Sequence, residues 1–345
     1  MRIPSYICLL GALTGWLGIA SCSKSHPLSS QAVPDSTYNA RLAFVIQDNF
    51  SFSIYSYGLT ITNNFNTLSQ AGPFTVLVPA DVGFQAEPWG VYSYPYLPAY
   101  FTPLYLQDFF RYTILPGRFS MDSLPLGHNE IIPAADSFHI YVSKYLQGTD
   151  TVVTINGSIV SGTDGIATNG LIQALSSPIN PEESHTVIDR IRNDQTLTFF
   201  AAAIVRVHAD TVLEGPGPWT VLAPQNTDWA ALAYLGKGLS TMDSLLAADT
   251  AVLGPLVRTQ ILRGRYFIND LNVESLAGPV TLASLGGQPV SYFQYQPQSW
   301  DPAAPAFSVA GGNPAQFPTI YGGPSPADIP AGNGVIHELN QVLIP

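Results

Sequence analysis

The side chains able to perform acid–base or metal chemistry are spread thinly through this sequence of 345 residues. The histidines lack the spacing of a metal site; they are His26, His128, His139, His185, His208 and His337. The sequence contains no Gly-x-Ser-x-Gly, no Gly-Lys-Ser/Thr phosphate loop and no His-Glu-x-x-His. We therefore expect no catalytic residues, no metal site and no cofactor. Two distant carboxylates of the glycosidase type are the alternative that the sequence leaves open.

Aromatic residues are the stronger candidates for binding chemistry, because two proline-rich segments concentrate them. Residues 89–105 and 297–332 are interrupted by prolines, which disfavour regular structure and predict loops. The candidate ligand-binding residues in these segments are Trp89, Tyr92, Tyr94, Tyr96, Tyr100, Trp300 and Tyr321. Exposed rings of this kind stack on sugar rings or contact a protein partner. The alternative is that the rings pack as a small satellite core beneath the loops.

The N-terminus has the pattern of a bacterial lipoprotein signal peptide. A basic residue precedes an apolar run that is short for a membrane span, and the tripeptide Ile-Ala-Ser leads to Cys22 as in a lipobox. We expect residues 1–22 to be the signal peptide, Cys22 to be lipidated and residues 23–37 to form a flexible tether. An ordinary signal peptide with an incidental cysteine is the alternative. The other cysteine, Cys8, lies in the removed segment, so no disulfide is expected.

The charge balance restricts the partners of the chain. It has 13 Lys and Arg against 24 Asp and Glu, a net charge of −11. Because no basic stripe exists to neutralise phosphates, we expect no nucleic acid partner. An anionic membrane surface is excluded as an electrostatic partner for the same reason, so the expected membrane contact is the lipid alone.

A repeated motif organises the elements that must position any site. It reads GPFTVLVPAD at residues 72–81 and GPWTVLAPQN at residues 217–226, about one domain length apart. Each copy predicts a Gly-Pro turn, a short apolar strand ended by proline, and a helix for which Asp81 or Asn226 is the N-cap. The first turn of that helix carries a large aromatic residue, Phe84 or Trp229, which we expect in a core.

This motif resembles the first signature of fasciclin (FAS1) domains. The second signature of that family is similar to NGVIH at residues 333–337, and a weaker copy, NGLIQ, stands at residues 169–173. The structural residues that the resemblance implies are Thr75, Pro79, Asp81, Asn169, Gly170, Thr220, Pro224, Asn226, Asn333, Gly334 and His337. His337 is flanked by apolar residues, so we expect it to be buried and hydrogen-bonded rather than a base. Thr113 stands where family members carry the histidine of a Tyr-His pair linked to adhesion in some animal proteins, which argues against that activity here.

The expected fold is α+β, because helical periodicity precedes alternating strand patterns in each copy. The resemblance implies two tandem FAS1 domains, each a β-wedge with packed helices, at residues 38–181 and 182–345. The second includes the Pro/Gly-rich insert 297–332. With the predicted lipid anchor, the chain is similar to the two-domain fasciclin lipoproteins of Bacteroidetes. This similarity implies a non-catalytic outer-membrane lipoprotein, at the cell surface or on the periplasmic face, that mediates adhesion or binding, with a glycan as the expected ligand. A structural subunit contacting another envelope protein, within a glycan-uptake complex, is the main alternative, and a cryptic glycosidase is the lesser one.

Overall fold

The structure is a computed structural model. It describes residues 41–134, 137–230, 233–234, 237–299, 302–310, 312–320 and 322–345. The predicted signal peptide, the Cys22 lipidation site and the tether lie outside these residues, as do Trp300 and Tyr321. Within the described ranges, no helix combines the length and the apolar character needed to cross a bilayer.

Among its described residues, the first half of the molecule contains six α-helices and a seven-stranded sheet. The helices are α1 (Leu42–Gln47), α2 (Ser53–Ile61), α3 (Asn64–Leu68), α4 (Asp81–Gln85), α5 (Leu97–Tyr100) and α6 (Pro103–Tyr112). The strands are β1 (Phe74–Pro79), β2 (Ile114–Pro116), β3 (Gly127–Pro133), β4 (His139–Gln147), β5 (Asp150–Ile155), β6 (Ser158–Ala167) and β7 (Gly170–Leu175).

The sheet of the first half has the strand order β2-β1-β7-β6-β5-β4-β3. Strand β1 lies between antiparallel β2 and parallel β7. Because successive side chains of a strand point to opposite faces, Val76 and Val78 enter the core formed with the helices, while Leu77 enters a second core against the curled part of the sheet. The strand from the repeated motif thus separates the two cores.

The second half repeats this arrangement with a divided sheet. Its helices are α7 (Val187–Asn193), α8 (Thr198–Arg206), α9 (Asp210–Leu213), α10 (Asn226–Ala230), α11 (Met242–Leu246), α12 (Thr250–Thr259) and α13 (Ile268–Glu274). Its strands are β8 (Trp219–Pro224), β9 (Ala233–Tyr234), β10 (Lys237–Gly238), β11 (Ile261–Arg263), β12 (Val280–Ala283), β13 (Pro289–Tyr295), β14 (Ala304–Val309), β15 (Ile329–Ala331) and β16 (Gly334–Leu339).

Strands β11-β8-β16 reproduce the order and directions of β2-β1-β7. Val221 and Ala223 of β8 again enter the helical core and Leu222 the other core. The α+β class and the tandem architecture expected from the sequence are therefore confirmed.

Both proline-rich segments contain more regular structure than their prolines suggested. In residues 89–105, Pro98 and Pro103 stand in the first turns of α5 and α6, where a helix needs no amide donor from them. In the insert, β14 pairs antiparallel with β13, and β15 pairs with β16. The prediction of irregular loops was wrong there, because proline disfavours the interior of an element but not its first turn or an edge.

The two halves belong to one compact unit, residues 39–345. Asn180 in the junction donates hydrogen bonds to the carbonyl oxygens of Ser325 (3.0 Å) and Ala327 (2.9 Å). Asp270 of α13 accepts hydrogen bonds from Ser143 (2.9 Å) and Thr154 (2.8 Å) on β4 and β5. These buried polar contacts cross between the halves and fix their relation.

Candidate functional site

The repeated threonines of the first signature have a structural role. The Thr75 hydroxyl donates to the Gly117 carbonyl (3.0 Å) and accepts from the Phe119 amide (2.8 Å). Thr220 makes the same two contacts with Gly264 (2.8 Å) and Tyr266 (3.0 Å). Each hydroxyl therefore closes the turn that follows the neighbouring strand, and neither is free to contact a ligand.

The asparagines of the second signature tie helices to strands. Asn169 accepts from the Leu42 amide (2.8 Å) and donates to the carbonyl oxygens of Leu68 (2.8 Å) and Gln70 (2.7 Å). Asn333 repeats all three bonds, with Val187 (2.8 Å), Leu213 (2.7 Å) and Gly215 (2.7 Å). These six contacts explain why both copies carry asparagine: only an amide supplies one acceptor and two donors in one side chain.

The glycine after each asparagine allows a close approach of two strands. A Cβ atom at Gly170 would collide with the Phe74 carbonyl oxygen, and one at Gly334 with that of Trp219. The prolines Pro79 and Pro224 end β1 and β8, beside Leu175 and Leu339 of the parallel partner strands. These four residues shape the backbone.

Asp81 and Asn226 do not cap their own helices. The Asp81 carboxylate accepts from the amides of Ser53 (3.2 Å) and Ile54 (2.9 Å), at the start of α2, and from the Ser53 hydroxyl. Asn226 likewise accepts from the Phe199 amide (3.0 Å) at the start of α8. The capping prediction was right in chemistry and wrong in target. Asp81 and Asn226 are the first residues of α4 and α10, and their side chains accept from the free amides at the start of α2 and α8.

His337 is buried and structural, as expected. Its Nδ1 accepts from the Asp328 amide (3.0 Å), its Nε2 lies 2.8 Å from the Tyr266 carbonyl oxygen, and burial lowers its pKa to about 4. Gln173 holds the corresponding place in the first half. Its Oε1 accepts from the Asp164 backbone amide (3.0 Å), and its Nε2 donates to the Phe119 carbonyl oxygen (3.1 Å). A neutral donor–acceptor pair is what this position requires.

The aspartates beside these residues have opposite electrostatics. Burial opposes ionisation of Asp164, but hydrogen bonds from Ser120, Gln173 and two backbone amides outweigh it and lower its pKa. Asp328 accepts from the Ile268 amide (2.8 Å), and although a fifth of its side chain is exposed, loss of hydration raises its pKa to about 8.

Tyr112 and Thr113, where the family has Tyr-His, are both buried. The Tyr112 hydroxyl donates to the His139 carbonyl (2.6 Å) and accepts from the Asn156 amide group (2.7 Å). Thr113 lies 2.8 Å from the Tyr55 hydroxyl and donates to the Phe110 carbonyl (2.9 Å). The pair connects helix α6 to strands and helices around it and offers no surface to a partner.

We call residues 89–105, which include α5, the aromatic loop. With Phe84 and Phe109 on either side of it, this segment forms a buried base and an exposed face. Trp89 is only 3% exposed and packs against Phe84, Phe101 and Phe109 with ring centroids 5.4 to 6.2 Å apart. Its assignment as a ligand-binding residue was wrong, because its ring fills the helical core. We call Phe84, Trp89, Phe101 and Phe109 the aromatic base.

The four tyrosines of the loop are exposed. Tyr92, Tyr94, Tyr96 and Tyr100, which we call the tyrosine face, expose 69%, 48%, 58% and 43% of their surface. The Tyr94 ring contacts Tyr57 of α2, with centroids 5.3 Å apart. The sequence did not identify Tyr57, because a single tyrosine at helical spacing gives no sign that its ring packs against the tyrosine face.

The insert of the second half supports one end of the tyrosine face. The Gly322 amide donates to the Pro88 carbonyl (2.9 Å), and a Cβ atom at Gly322 would collide with the Tyr100 ring. Gly322 also has a φ of 69°, which favours glycine. The face is therefore held from below by the aromatic base and from the side by the insert.

A charged cluster at the junction was also missed. The Arg265 guanidinium lies 3.6 Å from the centre of the Tyr141 ring and donates to the carbonyl oxygens of Ala331 (2.9 Å) and Gly332 (2.9 Å). Glu182 is buried beside them, accepts from the His139 amide (2.7 Å), and burial raises its pKa. The residues of this cluster lie between His139 and Gly332 in the sequence, so no local pattern predicts it.

The carboxylates offer no metal centre: across the described ranges, no group of three or more His, Cys, Asp and Glu is placed to hold an ion. A cavity at the junction has a volume of about 270 Å³, and its lining includes the charged residues Glu183, Arg190 and Glu338. Arg190 is paired with Asp194 at 2.8 Å. The tyrosine face is thus the surface with the clearest binding chemistry.

A fasciclin domain model matches the chain twice, over residues 51–181 and 195–345. The transforming growth factor-beta-induced protein ig-h3 of Sus scrofa is 24% identical over 79% of this chain and 35% of its own length. Stabilin-1 of Homo sapiens is 25% identical over 81% of this chain and 10% of its own length. Protein sll1483 of Synechocystis is 27% identical over 50% of this chain and 80% of its own length.

Among solved structures, a FAS1 domain pair from the insect cell adhesion molecule fasciclin I covers 88% of this chain and 96% of its own, with a TM-score of 0.38 and 15% identity. The chain spans about a third of ig-h3 and a tenth of stabilin-1.

Proposed function

Since the chain belongs to the fasciclin domain family, we propose that it is a non-catalytic binding protein of the cell envelope that holds a glycan on its tyrosine face. The exposure of four tyrosines on a loop whose base is buried carries this proposal. Phenol rings present flat apolar faces to the C–H groups of sugars, and their hydroxyls supply hydrogen bonds. Few rotamer-rich side chains need to be ordered, so the entropic cost of binding is small.

The anchor belongs to the same proposal. Lipidation of Cys22 would hold the domains at the outer membrane, and residues 23–37 would separate them from the lipid. Labelling of cells with an alkynyl fatty acid tests this: the wild-type chain should take up label, and Cys22→Ala should not. Equal labelling of the two chains would refute the anchor without touching the binding proposal.

The binding proposal is tested with the full chain in detergent on gels that carry immobilised polysaccharides. We expect retention on at least one polysaccharide, and loss of retention in the combined variant Tyr92→Ala, Tyr94→Ala, Tyr96→Ala. Phe50→Ala is the matched control, because Phe50 is an exposed aromatic residue of the same half outside the loop. Retention that is equal in the wild type and the combined variant would contradict the proposal.

A further inference from the structure

The tyrosine face lies in a region of the sequence without positive charge. No lysine or arginine occurs between Arg41 and Arg111, a stretch that contains the tyrosine face, its aromatic base and Tyr57. Acidic residues do occur there, and one of them, the exposed Glu87, lies two residues before Trp89. The sequence segment that carries the face therefore contributes negative formal charge and no positive charge.

The neighbouring element from the second half has the same character. Gly322 touches the face at Tyr100, and the chain from residue 266 to residue 345 also contains no lysine or arginine. Its one histidine, His337, is buried, and burial lowers its pKa to about 4, so it provides no cation at neutral pH. Both segments that build the face thus lack any group that could neutralise an anion.

On this basis, which rests on the proposed function, we infer that the ligand is an uncharged polysaccharide. Uronate or sulfate groups would find no lysine or arginine in either segment, and the overall net charge of −11 would repel them. Hydroxyl groups of a neutral sugar carry no such penalty. Four rings along one loop offer stacking positions for several sugar units, so a polymer gains over a monosaccharide by multiple contacts.

Gel retention at low and high salt tests the inference. The panel contains uncharged polysaccharides (cellulose, mannan, xylan and β-glucan), acidic ones (polygalacturonate and heparin) and polylysine. We expect retention on an uncharged gel that changes less than twofold between about 20 mM and 500 mM NaCl, because no ion pair is screened. We expect no tyrosine-dependent retention on acidic gels or polylysine.

A single substitution sharpens the test. Glu87→Lys adds a cation five residues before Tyr92, in the segment that carries the tyrosine face. We expect it to create salt-sensitive retention on polygalacturonate while retention on the uncharged gel stays within about threefold. Glu214→Lys, at an exposed position of the second half, is the control for added charge.

The outcomes separate the inference from the function. Tyrosine-dependent retention of the wild type on an acidic gel would overturn the inference and leave the glycan function intact. Tyrosine-dependent, salt-sensitive capture on polylysine would indicate a basic protein partner and overturn both. A wild type that no polysaccharide retains would refute the proposed function itself.

Discussion

The two domains share one hydrogen-bonding frame but differ in the surface that the frame carries. Thr75 and Thr220, and Asn169 and Asn333, make matching bonds in the two copies. The first domain adds the tyrosine face, whereas residues 235–265 of the second domain contain no aromatic residue. The frame therefore maintains the fold, and the binding chemistry that we propose resides in the segment between the two signatures.

A second difference lies inside the frame. Gln173 and His337 hold equivalent places, and so do Asp164 and Asp328. Hydrogen-bond donors stabilise the ionised Asp164 and lower its pKa, whereas burial without enough donors raises the pKa of Asp328. The position accepts glutamine or neutral histidine because both provide one donor and one acceptor. Geometry is retained between the copies while acid–base character is not.

The largest expected effect separates the tyrosine face from its base. The combined variant Tyr92→Ala, Tyr94→Ala, Tyr96→Ala should lose at least tenfold in glycan retention, while its free energy of unfolding should change by about 1 kcal/mol or less, since exposed substitutions rarely cost more. Gel retention and denaturant melts of the same samples measure both. A drop of several kcal/mol in the combined variant would show that these rings belong to the core.

Trp89→Ala should behave in the opposite way. Removing this buried indole leaves a cavity among Phe84, Phe101 and Phe109, and we expect a loss of about 3–5 kcal/mol in the free energy of unfolding. Phe84→Leu, which keeps most of the volume, provides a milder reference. A Trp89→Ala chain as stable as the wild type would contradict the division of the loop.

The two asparagines test whether the hydrogen-bonding frames contribute equally to the stability of the two domains. Asn169→Ala and Asn333→Ala each delete three hydrogen bonds and leave buried amide and carbonyl groups without partners, and each should cost about 3 kcal/mol. Denaturant unfolding of the two variants should give similar losses. A negligible loss at either position would show that the copies are not energetically equivalent.

Substitution of Asp328 or Asp164 should change the stability by a smaller amount. The pH dependence of the two contributions should have opposite signs. The raised pKa of Asp328 means that the folded state binds the extra proton, so its contribution to stability is lost as pH rises from about 4 to 8. Asp328→Asn should remove this decline and equal or exceed the wild type at pH 8. The lowered pKa of Asp164 means that its contribution is lost as pH falls below about 4, so Asp164→Asn should be destabilised at neutral pH.

Thermal melts from pH 3 to 9 check both variants. His337 is unchanged in them; its own contribution runs the other way, lost as pH falls from about 6.5 to 4, because the buried imidazole is neutral in the fold. A parallel pH profile for Asp328→Asn and the wild type would contradict the assignment.

Local sequence patterns predicted the α+β class, the duplication and the burial of Phe84, Trp229 and His337, since strand alternation and apolar spacing are local properties. They did not predict that Asp81 caps α2 rather than its own helix, because that choice depends on distances between elements. They grouped Trp89 with its tyrosine neighbours, because composition cannot show which ring of a loop turns inward. The cluster of Arg265, Tyr141 and Glu182 depends on how the halves pack.

Hydroxyl-radical footprinting of the full chain, with and without the uncharged polysaccharide that retains it, shows directly whether the tyrosine face is covered on binding. We expect oxidation of Tyr92, Tyr94, Tyr96 and Tyr100 to fall on binding, while Trp89 stays unreactive and aromatic residues of the second domain keep their rates. Protection confined to the second domain, with the tyrosine face as reactive as before, would show that the ligand does not bind the tyrosine face.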